Sequence, residues 1–139
     1  MNASPLYTKS TPLDTVLLVE DEVLIRLPIA EYLRHCGYRV LEAANADEGL
    51  TILQKADVRV DVVLSDIEMP GSIDGFGLAQ WVRANRPGMD VVLVGTPQRA
   101  ANAAAGLCES GPTLMKPYEP QAVHDRIKQL LAARDRVKR

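Results

Sequence analysis

Short runs of nearly unbroken apolar residues recur along this chain, and each is followed by a longer stretch with helical spacing. The runs are Thr15–Val19, Tyr38–Leu41, Val60–Ser65, Val91–Val94 and Thr113–Met115. The first, third and fourth lack the apolar–polar alternation of a strand with one wet face. They have instead the pattern of strands covered on both sides in a parallel sheet. Among the stretches between, Glu22–His35 sets Val23, Leu27, Ala30 and Leu33 on one face and meets a stop at Gly37. Asn45 reads as a helix cap with Glu48 three residues on, ahead of Leu50 and Leu53. Asp74 caps a third pattern carrying Phe76, Ala79 and Val82, which ends before Pro87. Arg99–Glu109 is alanine-rich with Gly106 inside, and Pro120 opens a last stripe of Val123, Ile127, Leu130 and Leu131. Pro28 falls inside the first helix, where its missing N–H predicts a kink. Five strand–helix units in a row predict an α/β domain: a doubly wound, five-stranded parallel sheet with five helices.

Composition narrows the setting. The 139 residues suit one domain, and 47% hydrophobic with 24% charged residues exclude wholesale disorder. Sixteen basic against eighteen acidic side chains give a net charge of −2, which excludes a globally basic nucleic-acid binder. No apolar run is long enough to span a bilayer, and residues 1–13 lack a secretory apolar stretch. The expected division is a flexible leader over 1–13, one domain over 14–134 and a frayed tail over 135–139. Cys36 and Cys108 supply neither a disulfide framework nor a metal-finger spacing, and they read as small packing residues in a reducing compartment. Trp81 reads as packing on its own sheet.

Ligands of open α/β sheets bind beyond the carboxyl ends of the strands. The first strand runs into Glu20-Asp21-Glu22, the third into Asp66 and the fifth into Lys116-Pro117. If the first and third strands are neighbours, Glu20, Asp21 and Asp66 converge. Three carboxylates together repel unless a cation joins them. An all-oxygen set with no nearby His or Cys favours Mg²⁺. Carboxylates, Mg²⁺ and the fixed charge of Lys116 fit phosphoryl transfer with an Asp as nucleophile. Two other phosphate motifs fail. Gly75-Phe76-Gly77 lacks the third glycine of a dinucleotide fingerprint, having Gln80 there, and no G-x-x-x-x-G-K run is present.

Val19-Glu20-Asp21-Glu22, Ser65-Asp66-Ile67-Glu68-Met69-Pro70 with Asp74-Gly75, and Lys116-Pro117-Tyr118 occur in order at strand ends. Together they resemble the receiver domains of two-component response regulators, over about residues 13–134. The resemblance implies a flavodoxin-like strand order 2-1-3-4-5. It implies that Asp66 accepts a phosphoryl group from a phosphohistidine on a sensor histidine kinase or a histidine phosphotransfer protein. It further implies Asp21 as direct Mg²⁺ ligand, Glu20 as its partner through water, and the backbone carbonyl of Glu68 as a further ligand. Lys116 would pair with a phosphoryl oxygen, and the bond before Pro117 would be cis. Such a domain is a regulatory phosphoacceptor and not an enzyme in the usual sense, although it assists its own phosphotransfer and dephosphorylation. It signals in the cytoplasm by contact with a downstream protein, with no direct nucleic-acid or membrane partner.

Three positions depart from the family pattern. Gly95 stands where the family places Ser or Thr at the end of the fourth strand, with Thr96 one residue late. Thr113 stands where an aromatic switch residue is usual. The Met69–Gly75 loop is one residue longer than its commonest form. These changes leave phosphoryl acceptance intact and weaken a Thr–aromatic switch, so main-chain contacts around Gly95–Ala105 and Lys116 are the expected route of response. The alternative reading is a degenerate receiver acting as a phosphorylation-independent binding module. An aspartyl-phosphate phosphatase is disfavoured because Glu68 occupies the position of that class's second Asp. The chain is expected to be a stand-alone regulator, a relay shuttle, or a receiver cut from a larger protein.

Overall fold

The computed structural model describes residues 15–109 and 120–138. The elements alternate as β1 (Thr15–Val19), α1 (Val23–His35), β2 (Arg39–Ala43), α2 (Ala46–Leu53), β3 (Val62–Asp66), α3 (Gly75–Asn85), β4 (Asp90–Val94), α4 (Pro97–Glu109) and α5 (Pro120–Lys138). The strands are parallel and lie in the order β2-β1-β3-β4. That is the doubly wound, flavodoxin-like order the sequence predicts. The expected fifth strand, Thr113–Met115, lies outside the described residues, as do the 1–13 leader, Lys116 and the bond before Pro117. The last helix keeps its helical path through Lys138, so the expected tail is helical from 135 to 138.

β1 is the centre of the molecule. All five of its residues are buried, because α1 covers one face of the sheet and α2 the other. One apolar cluster joins Val16, Leu18, Val62 and Leu64 to Ile29, Leu33, Ala101 and Ile127 of the helices on one side. The other joins Leu17, Val19 and Val63 to Ala46, Leu53, Leu78 and Val82. Each Val, Leu or Ile side chain so removed from water contributes about 1.5–3 kcal/mol before entropy is counted. β4 is only half buried, with an exposed Asp90. Among the described residues, no helix is long and apolar enough to cross a membrane.

Two caps form as the sequence predicts. The Asn45 side chain accepts from the Glu48 N–H at 2.8 Å, and Asp74 accepts from the Gly77 N–H at 2.9 Å. Glu48 reaches back to the Ala44 N–H at 2.8 Å, one residue earlier than in the standard capping box.

The expected burial of several residues and the state of the cysteines are corrected. The buried face of α1 is Ile29, Ala30, Tyr32 and Leu33 with Ile25 beside it, whereas Val23 and Leu27 are 41% and 50% exposed. The helix carries two apolar stripes, and the sheet took the one with Ile25, Ile29 and Tyr32. Phe76 is 58% exposed, and Leu78 fills the place expected of it. Pro28 sits on the buried side of one continuous helix. Trp81 packs at the edge of the second cluster, with the Arg86 guanidinium 5.4 Å above its ring. Cys36 and Cys108 are fully buried, as packing residues would be, but they are bonded to each other as a disulfide. The fold closes 72 residues of chain to bring them together, a distance that local spacing does not register.

Candidate functional site

Parallel register brings the acidic residues together. Val19 pairs with Ser65 across β1 and β3, so the next residues, Glu20 and Asp66, leave the sheet side by side. Oxygens of Glu20, Asp21 and Asp66 lie within 4.8 Å of one another, the convergence expected from strand ends alone. The three differ in exposure: Glu20 is 6% exposed, Asp66 intermediate and Asp21 exposed. Burial therefore acts on them unequally. It pushes the Glu20 carboxyl up from its ordinary 4.5 to about 8, opposed by the Glu22 N–H and reinforced by the charge of Asp66. Burial likewise raises Asp66, where the Ile67 N–H opposes the shift and the charges of Asp21 and Glu68 add to it.

Backbone bonds hold the group in place. The Glu20 N–H donates to the Ala43 carbonyl at 3.0 Å, extending the β1–β2 ladder by one rung. Glu20 Oε2 accepts from the Glu22 N–H at 3.0 Å. Asp66 Oδ1 accepts from the Ile67 N–H at 2.9 Å. The Ile67 carbonyl accepts from the Gly75 N–H at 2.8 Å, which folds the following loop over the strand end. Gly75 is required there, since a Cβ would lie 2.2 Å from the Asp66 carbonyl oxygen.

Two residues overlooked in the sequence frame this end. Arg26 donates to the Glu20 carbonyl at 2.8 Å and to Glu42 Oε1 at 3.0 Å, fastening the end of β1 to α1 and β2. Its position one turn after the acids was the available signal. Asp47 accepts from the Ser72 N–H at 2.9 Å and from the Ser72 hydroxyl, tying the long Met69–Gly75 loop to α2. Nothing local announces that pairing.

The remaining expected positions fall as follows. Glu68 is exposed beside the cluster, and Gly95 and Thr96 are exposed after β4. Thr96 Oγ accepts from the Arg99 N–H at 3.1 Å, so its hydroxyl serves as the cap of α4. Among the described residues, a Cβ at Gly95 would meet only Ile67 Cδ1, at 3.6 Å. Lys116, Thr113 and Pro117 lie outside the described residues. The donor set is all oxygen, partly buried and mutually repelling, which fits a hard divalent cation such as Mg²⁺.

Comparison with known proteins agrees with this geometry. The sensor kinase CckA of Brucella abortus is 34% identical over 128 residues, covering 87% of this chain and 13% of the kinase. The chain spans about half or less of the length of the curated relatives it matches. Among solved structures, the response regulator protein TrrA of Thermotoga maritima in complex with Mg²⁺-BeF superposes with a TM-score of 0.56 at 25% identity, covering 85% of this chain and 99% of that one. A structure of histidine kinase ThkA in complex with TrrA matches at 32% identity and a TM-score of 0.54, covering 60% of this chain and 70% of that one. The family model described as the response regulator receiver domain matches residues 16–128, nearly the whole described fold. The carboxylates at the ends of β1 and β3 thus sit in a chain that belongs to the response regulator receiver domain family of two-component signalling.

Proposed function

We propose that this chain accepts a phosphoryl group on Asp66 from a phosphohistidine of a kinase or phosphotransfer protein, and that the phosphorylated form signals by protein contact in the cytoplasm. The convergence of Glu20, Asp21 and Asp66 at neighbouring strand ends carries this reading. Asp66 Oδ1 is engaged by the Ile67 N–H, which orients the carboxylate for attack by its other oxygen. In the transfer that oxygen bonds to phosphorus as the phosphorus–nitrogen bond of the donor breaks, and the imidazole nitrogen keeps the electron pair. Glu20, Asp21, Asp66 and the Glu68 carbonyl would hold Mg²⁺, which when bound offsets the charge of the carboxylates and the incoming phosphoryl oxygens. Lys116 would pair with one of those oxygens. Gly95, with no hydroxyl to offer, would contribute main chain only.

Val23 at the start of α1 and Phe76 at the start of α3, both exposed, follow the strand ends that carry Asp21 and Asp66. A donor domain approaching Asp66 would meet these apolar side chains. The kinase complex among the similar structures supports a partner of that kind. The chain would then be a regulatory phosphoacceptor that assists its own phosphotransfer and dephosphorylation, with residues 14–134 as the working unit.

The test is Asp66→Asn, which keeps shape and removes the nucleophile. Labelling by a small phosphodonor with Mg²⁺ is expected in the native chain and absent in the variant. Hydroxylamine-sensitive phosphate retained on the variant overturns the assignment of Asp66. A native chain that takes no label, while still binding Mg²⁺, favours the phosphorylation-independent binding module, a reading to which Gly95 and the capping role of Thr96 lend weight.

A further inference from the structure

Cys36 and Cys108 belong to no part of the acceptor chemistry, yet they connect two helices that flank it. Cys36 closes α1 as its cap, its N–H donating to the Tyr32 and Leu33 carbonyls. Cys108 lies in the last turn of α4. Their Cα atoms are 5.3 Å apart and both side chains are fully buried in the α1–α4–α5 cluster. A second tie meets the same turn, where the Tyr38 hydroxyl donates to the Leu107 carbonyl at 2.6 Å. Among the described residues α4 packs against α1, α5, β3 and β4, with half-buried Leu107 joining the same cluster. Its buried residues are Ala100, Ala101, Ala104 and Cys108, all small, and Gly106 weakens the helix from within. A disulfide is also out of keeping with a cytoplasmic signalling domain, where persistent thiol pairs are kept reduced and bonded ones are usually redox-responsive.

We propose that Cys36 and Cys108 form a reversible thiol–disulfide pair that fixes the C-terminal half of α4 to α1 when oxidised and releases it when reduced. A low-molecular-weight disulfide of the glutathione class is the oxidant. One cysteine thiolate attacks it, forming a mixed disulfide and expelling one small thiolate. The second cysteine thiolate then attacks the protein sulfur, closing the bond and expelling the other. Two protein S–H bonds are replaced by one S–S bond, and two electrons and two protons leave on two small thiols. Because both sulfurs are buried, exchange requires the last turn of α4 to open, so the helix controls its own modification. Resting on the function proposed above, the oxidised chain can answer phosphorylation only at the Gly95–Thr96 end of α4, and the reduced chain along all of it.

The experiment equilibrates the full chain in a series of glutathione redox buffers, traps thiols by alkylation and follows amide exchange over Ala103–Glu109. The disulfide fraction is expected to vary reversibly across the series without denaturant. Protection over Ala103–Glu109 is expected to fall about tenfold or more in the dithiol form while β1 and β3 amides stay protected. A chain that stays fully reduced in every buffer, one whose bond yields only in denaturant, or equal α4 protection in both forms overturns the proposal. The double variant C36A/C108A should match the reduced native chain. Should it fail to fold, the native series alone decides. No phosphodonor is present, so this outcome is independent of whether Asp66 is the acceptor.

Discussion

The two sides of the sheet are packed differently. Around β1 and β3 the packing residues are Leu, Val and Ile, fully buried and touched on both faces. Around β4 and α4 the strand is half buried and the helix packs with alanines. The carboxylates stand on the first side, and Gly95, Thr96 and α4 form the second. Groups that must meet within a few ångströms thus stand on the more densely packed part, and in the function proposed above the response to phosphorylation would fall on the part with less buried bulk to rearrange.

Core truncation sharpens the contrast most. Leu64→Ala in β3 should cost about 2–5 kcal/mol, against less than about 2 kcal/mol for the half-buried Leu107→Ala in α4, both read from denaturant midpoints. Equal costs would erase the distinction. A more local probe is pH. The Glu20 carboxyl titrates near 8 in the fold and near its ordinary 4.5 when unfolded, so the protonated form favours folding. Metal-free stability is therefore fullest below about pH 4.5 as far as this group is concerned, and is lost as pH rises toward 8. Glu20→Gln should flatten that slope, and an unchanged slope would remove Glu20 as its source. The smallest effects belong to the α4 side. Thr96→Ala should cost about 1 kcal/mol through the lost cap. Gly95→Ser, whose Cβ meets nothing closer than 3.6 Å among the described residues, should change stability by less than about 0.5 kcal/mol while altering phosphoryl lifetime. A lifetime unmoved by the added hydroxyl would support response through the main chain.

The legible parts of the fold were those whose cause is local. Asn45 and Asp74 cap helices through bonds three residues long, and the unbroken apolar runs placed β1 and β3 within two residues. The three acids were readable because parallel strands all end on the same side. Where two local answers competed, tertiary packing chose. Val23 and Leu27 formed as good a stripe as Ile25, Ile29 and Tyr32, and only the sheet decided between them. Pairings across the chain left no trace in spacing. The bond from Cys36 to Cys108 and the contact from Asp47 to Ser72 bridge 72 and 25 residues, and each depends on the whole fold being in place.

The Asp47–Ser72 contact also bears on how the Met69–Gly75 segment is held. The loop is pinned to Ile67 at one end by Gly75 and to α2 in its middle, so its length is held at two points and its middle is drawn toward α2. Length at this point becomes a quantity that can drift between relatives at little chemical cost. The carboxylate on α2 that catches the loop is what such a change in length would have to accommodate. A lineage that lost Asp47 would have to shorten the segment or find another hold for it.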